Sequence, residues 1–310
     1  MDFCLSIEIQ EGLSYAETLA LTRAAEEAGF AASLLAEHYY PSSGNLDRMA
    51  ADAWVYLGAL ARDTGRIRLG SLVSPATFRH PSVLAKMAAT LDHLSDGRAE
   101  LGLGAGWLAA EHAAYGFDFP SGPERVDLVE EQLQVITGLW TRDPFTHAGL
   151  RYRLEACRFT PRPVQRPHPP LLLGGGAAAT RLPALAARYA DEYVVALGTP
   201  EQCRATRERL DRACERAGRD PSAVSLALFA GVCVAETEPE VARVREQLLA
   251  GGREHMRNLD NWVQGTPEQA ADRLRALAAA GVRRVMFSVE RDEHLAMIAL
   301  LGERVAPLLA

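Results

Sequence analysis

Short apolar runs alternate with long helix-patterned segments from one end of this chain to the other, and no other feature restricts its fold as much. A strand followed by a helix and then another strand pairs in parallel, because the crossing helix brings the chain back to the edge it left. Phe3–Ile9 reads as the first strand. Tyr15–Ala28 then has apolar spacing near 3.6, with Ser14 and Glu17 in a capping-box pattern before it and Gly29 as its stop. Further strands are expected at Ala32–Ala36, Ile67–Val73 and Ala99–Leu103, and helices at Asp52–Arg62, Pro81–Leu94 and Glu124–Trp140. Pro81 opens its helix in the manner of a proline at the first helical position. The stretch Thr141–Pro170 breaks the rhythm; it is rich in proline and has room for one small hairpin around Tyr152. Alternation resumes with strands at Leu171–Leu173, Tyr193–Leu197, Val224–Val234 and Arg284–Val289. The matching helices are Ala184–Tyr189, Pro200–Ala217, Pro239–Leu249, Thr266–Ala280 and a terminal one. Eight such units within 310 residues favour an α/β fold of the closed (β/α)8 TIM-barrel type over an open, doubly wound sheet. The proline-rich stretch is then an insertion between strands four and five. Neither half, with four strands each, is complete alone, so residues 1–310 read as one domain.

Composition narrows the function. At 48% hydrophobic residues the chain can bury a large core, and its net charge of -7 excludes a general nucleic-acid surface, which needs a basic stripe. No apolar run approaches the roughly 20 residues of a membrane span. The start, MDFCLSIEIQ, lacks the basic opening and long apolar centre of a secretion signal, so a cytoplasmic protein is expected. Five scattered cysteines with no CxxC pair fit a reducing compartment. The histidines include no HExxH, so no metal site is expected.

In such a barrel, chemistry gathers where strands hand over to helices at the C-terminal face. Four handovers stand out. Glu37-His38-Tyr39-Tyr40 follows strand two; a histidine beside an acid there can give or take a proton near neutral pH. Ser71-Leu72-Val73-Ser74-Pro75 follows strand three and can set backbone against a flat ring. Gly102-Leu103-Gly104-Ala105-Gly106-Trp107 follows strand four, where alternate glycines permit close approach of a ligand or close packing. Gly174-Gly175-Gly176-Ala177 follows strand five; a glycine turn before a helix N-terminus is a ready phosphate seat.

Taken together, these segments resemble the luciferase-like family of flavin- and deazaflavin-dependent oxidoreductases. The resemblance is carried by RIRLGSLVSPATFRHPSVLAKMAATLDHLSDGRAELGLGAGW, EHAAYGFDFP, ERVDLVEEQLQVITGLW, PVQRPHPPLLLGGG, LAARYADEY and GRDP, and spans nearly the whole chain. It is nearest in style to members that use the deazaflavin coenzyme F420. The resemblance implies a catalytic or ring-contacting role for His38; its neighbour Glu37 is the candidate group to tune it. It implies that Leu72 and Val73, with Ser74 beside them, form a strand-three bulge, often a non-prolyl cis peptide, behind the cofactor ring. Gly104, Ala105 and Gly106 correspond to the loop beside the ring, and Gly174, Gly175 and Gly176 to the cofactor phosphate seat. Tyr39, Tyr40, Phe78 and Trp107 are candidate walls of an apolar substrate pocket. Relatives that oxidise glucose 6-phosphate have an acid in place of Trp107 and a hydroxyl in place of Ala105, which argues against sugar phosphates here.

The reading that follows is an F420-dependent oxidoreductase that transfers a hydride between the deazaflavin C5 and a small organic substrate, by reduction of a C=C or C=N bond or by the reverse oxidation. An FMN-dependent monooxygenase is the alternative. A non-catalytic or cofactor-free barrel and a doubly wound NAD enzyme are the remaining ones. The family implies a homodimer with no nucleic-acid or membrane partner. An acidic cofactor tail would need positive charge, for which Arg181 and Arg188 after the glycines, and Arg162, Arg166 and His168 before them, are candidates.

Overall fold

The computed structural model describes residues 1–250, 259–289 and 294–309. Its strands are β1 (Asp2–Ile7), β2 (Ala32–Leu35), β3 (Arg68–Ser71), β4 (Ser74–Pro75), β5 (Ala99–Gly104) and β6 (Phe145–Ala148), followed by β7 (Arg153–Cys157), β8 (Leu171–Gly176), β9 (Glu192–Ala196), β10 (Ser225–Val234), β11 (Val263–Gly265) and β12 (Val282–Ser288). The helices are α1 (Tyr15–Glu27), α2 (Ala53–Asp63), α3 (Pro81–Leu94), α4 (Ala109–Tyr115) and α5 (Gly122–Thr141), followed by α6 (Leu182–Tyr189), α7 (Pro200–Ala217), α8 (Glu238–Ala250), α9 (Pro267–Ala279) and α10 (His294–Leu300).

Eight parallel strands close a ring in the order β1-β2-β3-β5-β8-β9-β10-β12, with β12 pairing back to β1. This is the expected barrel. Local chemistry explains many element ends. Ser14 and Glu17 form a reciprocal capping box on α1, and the same device opens α5, α7 and α9. After α1 the chain turns at Gly29, whose φ of 80° suits glycine, and Gly281 does the same after α9 at 94°. The insertion holds one antiparallel hairpin, β6 with β7, and Tyr152 sits in its turn.

Three differences from the sequence expectation matter for function. The third strand stops at Ser71 and resumes as β4, with the cis Leu72–Val73 peptide between them. Strand five does not end at Leu173; β8 runs on through all three glycines, paired with β9 as far as Gly176–Ala196. Helix α4 and strand β11 were not anticipated, being too short to show periodicity.

Outward-facing strand residues pack against the helices in one large core, with Leu5, Leu69, Leu101, Leu171 and Leu173 wholly buried. The barrel interior is narrower and filled by Cys4, Ala32, Leu34, Leu172, Val194, Ala227 and Met286. Below them, at the N-terminal ends of the strands, Arg284 bridges Glu192 at 2.9 Å and Glu100 at 3.1 Å. Arg68 reaches Glu100 at 2.5 Å from the other side. Burial pushes the Glu192 carboxyl up to about 7 against the pull of Arg284, and nearby Glu100 adds to the rise. This charged plug closes the bottom, so a ligand enters from the C-terminal face.

Candidate active site at the barrel mouth

A cavity of about 420 Å³ opens at the C-terminal ends of the strands. His38, Leu72, Val73, Gly104, Ala105, Gly106, Trp107 and Gly174 to Gly176 all line it, so four separate handovers meet in one place. Glu8, Val194, Ala196, Leu197 and Phe229 complete much of the wall. The surface is mainly apolar with a few polar groups, as a flat organic ligand requires.

His38 is held by a residue the sequence reading passed over. Its Nδ1 lies 2.9 Å from Glu111 Oε1 and 3.1 Å from Oε2, and the Tyr39 backbone N–H donates to the same carboxylate at 3.2 Å. Glu111 projects from α4 and is wholly buried. A carboxylate on Nδ1 fixes the ring's orientation and leaves Nε2 as the nitrogen that can serve a ligand. Burial alone would lower the His38 pKa; the hydrogen bond to Glu111 and its charge, aided by Glu8 and Glu37, outweigh burial and raise it. Trp107 packs edge-to-face on the imidazole, with centroids 5.5 Å apart, and is 53% exposed at the rim. The signal for Glu111 was present: an alanine-rich run, LAAEHAAY, ends at Gly116 with φ 72°.

The glycines divide by side of the sheet. A Cβ on Gly104 would lie 2.6 Å from Val73 Cγ2, one on Gly102 would lie 2.8 Å from Val73 Cγ1, and one on Gly174 would lie 3.2 Å from the same atom. These three make room for Val73, which stands on the cis bulge and forms the cavity floor with Leu72. Gly176 is different: a Cβ there meets nothing within 4 Å. Helix α6 begins six residues later, and its N-cap residue Arg181 makes no side-chain capping bond. Within its first turn Ala184 N–H donates to the Arg181 carbonyl at 3.1 Å and Pro183 has no N–H, which leaves the Leu182 amide for water or an anion.

The profile of the luciferase-like monooxygenase family matches residues 3–304. The chain belongs to that family. It is 28% identical to an F420-dependent glucose-6-phosphate dehydrogenase of Microbacterium testaceum (strain StLB037), over 92% of this chain and 90% of that one. It is 27% identical to an FMNH(2)-dependent dimethylsulfone monooxygenase of Pseudomonas fluorescens (strain Pf0-1), over 96% and 87%. Its fold matches that of an F420-dependent secondary alcohol dehydrogenase solved with an F420-acetone adduct, at a TM-score of 0.84 and 20% identity, covering 100% and 99% of the two chains.

For this luciferase-like chain the residues present fit a flavin or deazaflavin. The floor is a non-polar bulge, glycine opens the wall at Gly176, and the N-terminus of α6, without a side-chain cap, follows it. Other expected site residues lie elsewhere. Glu37 is buried but does not hold His38; it pairs with Arg79 and accepts from Trp54 Nε1 at 3.0 Å, so it acts on the imidazole only through space. Ser74 is buried behind the bulge, accepting from Trp54 at 3.2 Å and donating to Ser71 at 3.0 Å. Tyr39 stacks on Phe78 at 5.0 Å and on Tyr115 at 5.3 Å, outside the cavity. Phe78 faces a second hollow of about 590 Å³ beside Phe119 and Tyr152, and Tyr40 lines neither. The expected cations also miss the cavity. Arg181 binds Asp127 at 2.5 Å and Arg188 binds Glu130 at 2.8 Å, both on α5. Arg162, Arg166 and His168 precede β8 and so sit toward the closed end of the barrel.

Proposed function

We propose that this chain is a coenzyme F420-dependent oxidoreductase that reduces a C=C or C=N bond of a small organic substrate. The observation that supports this reading best is the His38–Glu111 pair at the cavity edge. When bound, the deazaflavin supplies a hydride from its C5. Everything else falls to the chain's own groups. Leu72 and Val73 support one face of the ring, Gly104 to Gly106 flank it, and Gly176 leaves space for the phosphate near α6. His38, held upright by Glu111, gives a proton from Nε2 to the substrate atom next to the one that takes the hydride. Trp107 and Phe229 offer apolar contact to the substrate. With Trp107 at the rim in place of an acid, the pocket suits an uncharged or weakly polar substrate rather than a sugar phosphate. We further propose a cytoplasmic homodimer, on the family's precedent.

The likeness to an FMNH(2)-dependent monooxygenase over nearly the whole chain favours a second reading, oxygenation with reduced FMN. Anaerobic titration of the purified protein with reduced F420 and reduced FMN, side by side, separates the two. Tight F420 binding with hydride transfer supports the first reading. Tight FMN binding with oxygen-consuming turnover and no F420 binding replaces it with the second. Binding of neither leaves a cofactor-free barrel.

A further inference from the structure

Two polar groups under the glycine strand have hydrogen-bonding capacity that the protein leaves unused. Arg209, on α7, donates from Nη2 to the Ala177 carbonyl, the first residue beyond β8, and to Thr206 Oγ1 at 2.9 Å. Its Nε is buried and bonded to nothing. The Tyr193 side chain, on β9, is wholly buried, and its hydroxyl also has no partner. That hydroxyl lies directly beneath Gly175, where a Cβ would come within 2.5 Å of it. The guanidinium is near enough for its charge to act on the phenol. An unpaired buried donor costs free energy, and an acceptor brought to this turn would offset that cost.

The turn they support runs from Ala177 into α6, and Ala179 N–H donates to Gly176 C=O at 2.9 Å within it. We infer that Arg209 is a positioning residue for the cofactor phosphate. It holds the Ala177 carbonyl down toward α7, which turns the Ala178 amide of the same peptide up toward the cavity, and with Tyr193 it places positive charge and a hydroxyl donor under a bound phosphate. Arg181 and Arg188, which the sequence reading offered for the acidic tail of a cofactor, are paired with α5 and do not serve this turn. The inference rests on the proposal that a phosphate-bearing flavin or deazaflavin binds here.

The test compares cofactors with and without phosphate: FMN against riboflavin, and F420 against its phosphate-free deazariboflavin chromophore. Dissociation constants are measured by fluorescence for wild type, Arg209→Met, Arg209→Lys and Tyr193→Phe. Losing a charge-assisted contact is expected to weaken the phosphate-bearing member about tenfold in Arg209→Met and less in the other two, while the phosphate-free member is unchanged. Tyr193→Phe removes an unpaired buried hydroxyl and keeps the ring, so folding is not at risk, and thermal unfolding of each variant verifies it. Equal weakening of both members, or no weakening of either, in folded variants overturns the inference. If the wild type itself binds the two members equally, the phosphate seat is wrong, and the inference falls with it.

Discussion

His38 draws its chemistry from a residue 73 positions away in the chain, Glu111. The sign of the resulting pH dependence follows from the pair. Glu111 favours the imidazolium, so His38 stays protonated to higher pH than an ordinary histidine. In the proposed reduction, where His38 gives the proton, activity is supported at low pH, and kcat/KM is expected to fall as pH rises through that raised pKa. Glu111→Gln should move the fall to lower pH, and His38→Ala should reduce turnover by about 10²-fold with little change in cofactor affinity. A pH–rate profile of the three proteins checks both points; an unshifted limb in Glu111→Gln would remove Glu111 from the mechanism. The glycines give a second contrast at this scale. Gly176→Val projects into open space and is expected to weaken cofactor binding in a folded protein. Gly175→Val drives its side chain into Tyr193 and Leu182 and is expected to lose stability, about 1–3 kcal/mol as overpacking usually costs. Urea unfolding alongside cofactor titration distinguishes the two.

At the scale of elements, the site depends on how β3, β4, β5 and β8 fit around one valine. Val73 occupies a niche made by the absent side chains of Gly102, Gly104 and Gly174. The alternate glycines after strand four therefore serve packing first and ligand approach second. Gly104→Ala should displace Val73 and tilt the cavity floor. We expect about 1–3 kcal/mol of destabilisation together with weaker binding of both phosphate-bearing and phosphate-free cofactors. A variant that loses only phosphate-dependent affinity would contradict this placement of the ring. Helix α4 shows the same dependence between elements: two turns, capped by Gly116, deliver Glu111 across to the loop after β2.

For the whole molecule, the two ends of the barrel have opposite characters. The mouth is open and mainly apolar, whereas the bottom is closed by Arg284, Glu100, Glu192 and Arg68, drawn from four strands. Arg284→Met leaves two buried carboxylates without their shared cation and is expected to cost about 3–5 kcal/mol. Denaturant midpoints measure this. Because the plug lies at the far end from the cavity, cofactor affinity of the folded fraction should stay as in the wild type. Among the described residues no helix is long and apolar enough to cross a membrane.

The alternation of strands and helices, the capping boxes and the stop glycines were legible from the sequence because each rests on contacts within a few residues: hydrophobic period, a side chain reaching its own helix end, a backbone angle that suits glycine. The closed barrel followed from counting units. The four handovers also pointed correctly to one mouth, since every parallel strand ends on the same face. What only the tertiary structure decided were the pairings across the barrel. Glu37 stands next to His38 in the chain, yet neighbours on an extended segment point to opposite sides, so it turns to Arg79 and Trp54 while Glu111 takes the imidazole. Tyr39 and Phe78 are aromatic and near the mouth, yet they stack on each other outside it. Three consecutive glycines look alike in sequence, yet the two-residue period of a strand turns Gly175 toward Tyr193 and leaves Gly176 facing open space. Which side of a sheet a residue faces, and what comes from elsewhere in the chain to meet it, is set by register and packing, and neither is written in any local stretch.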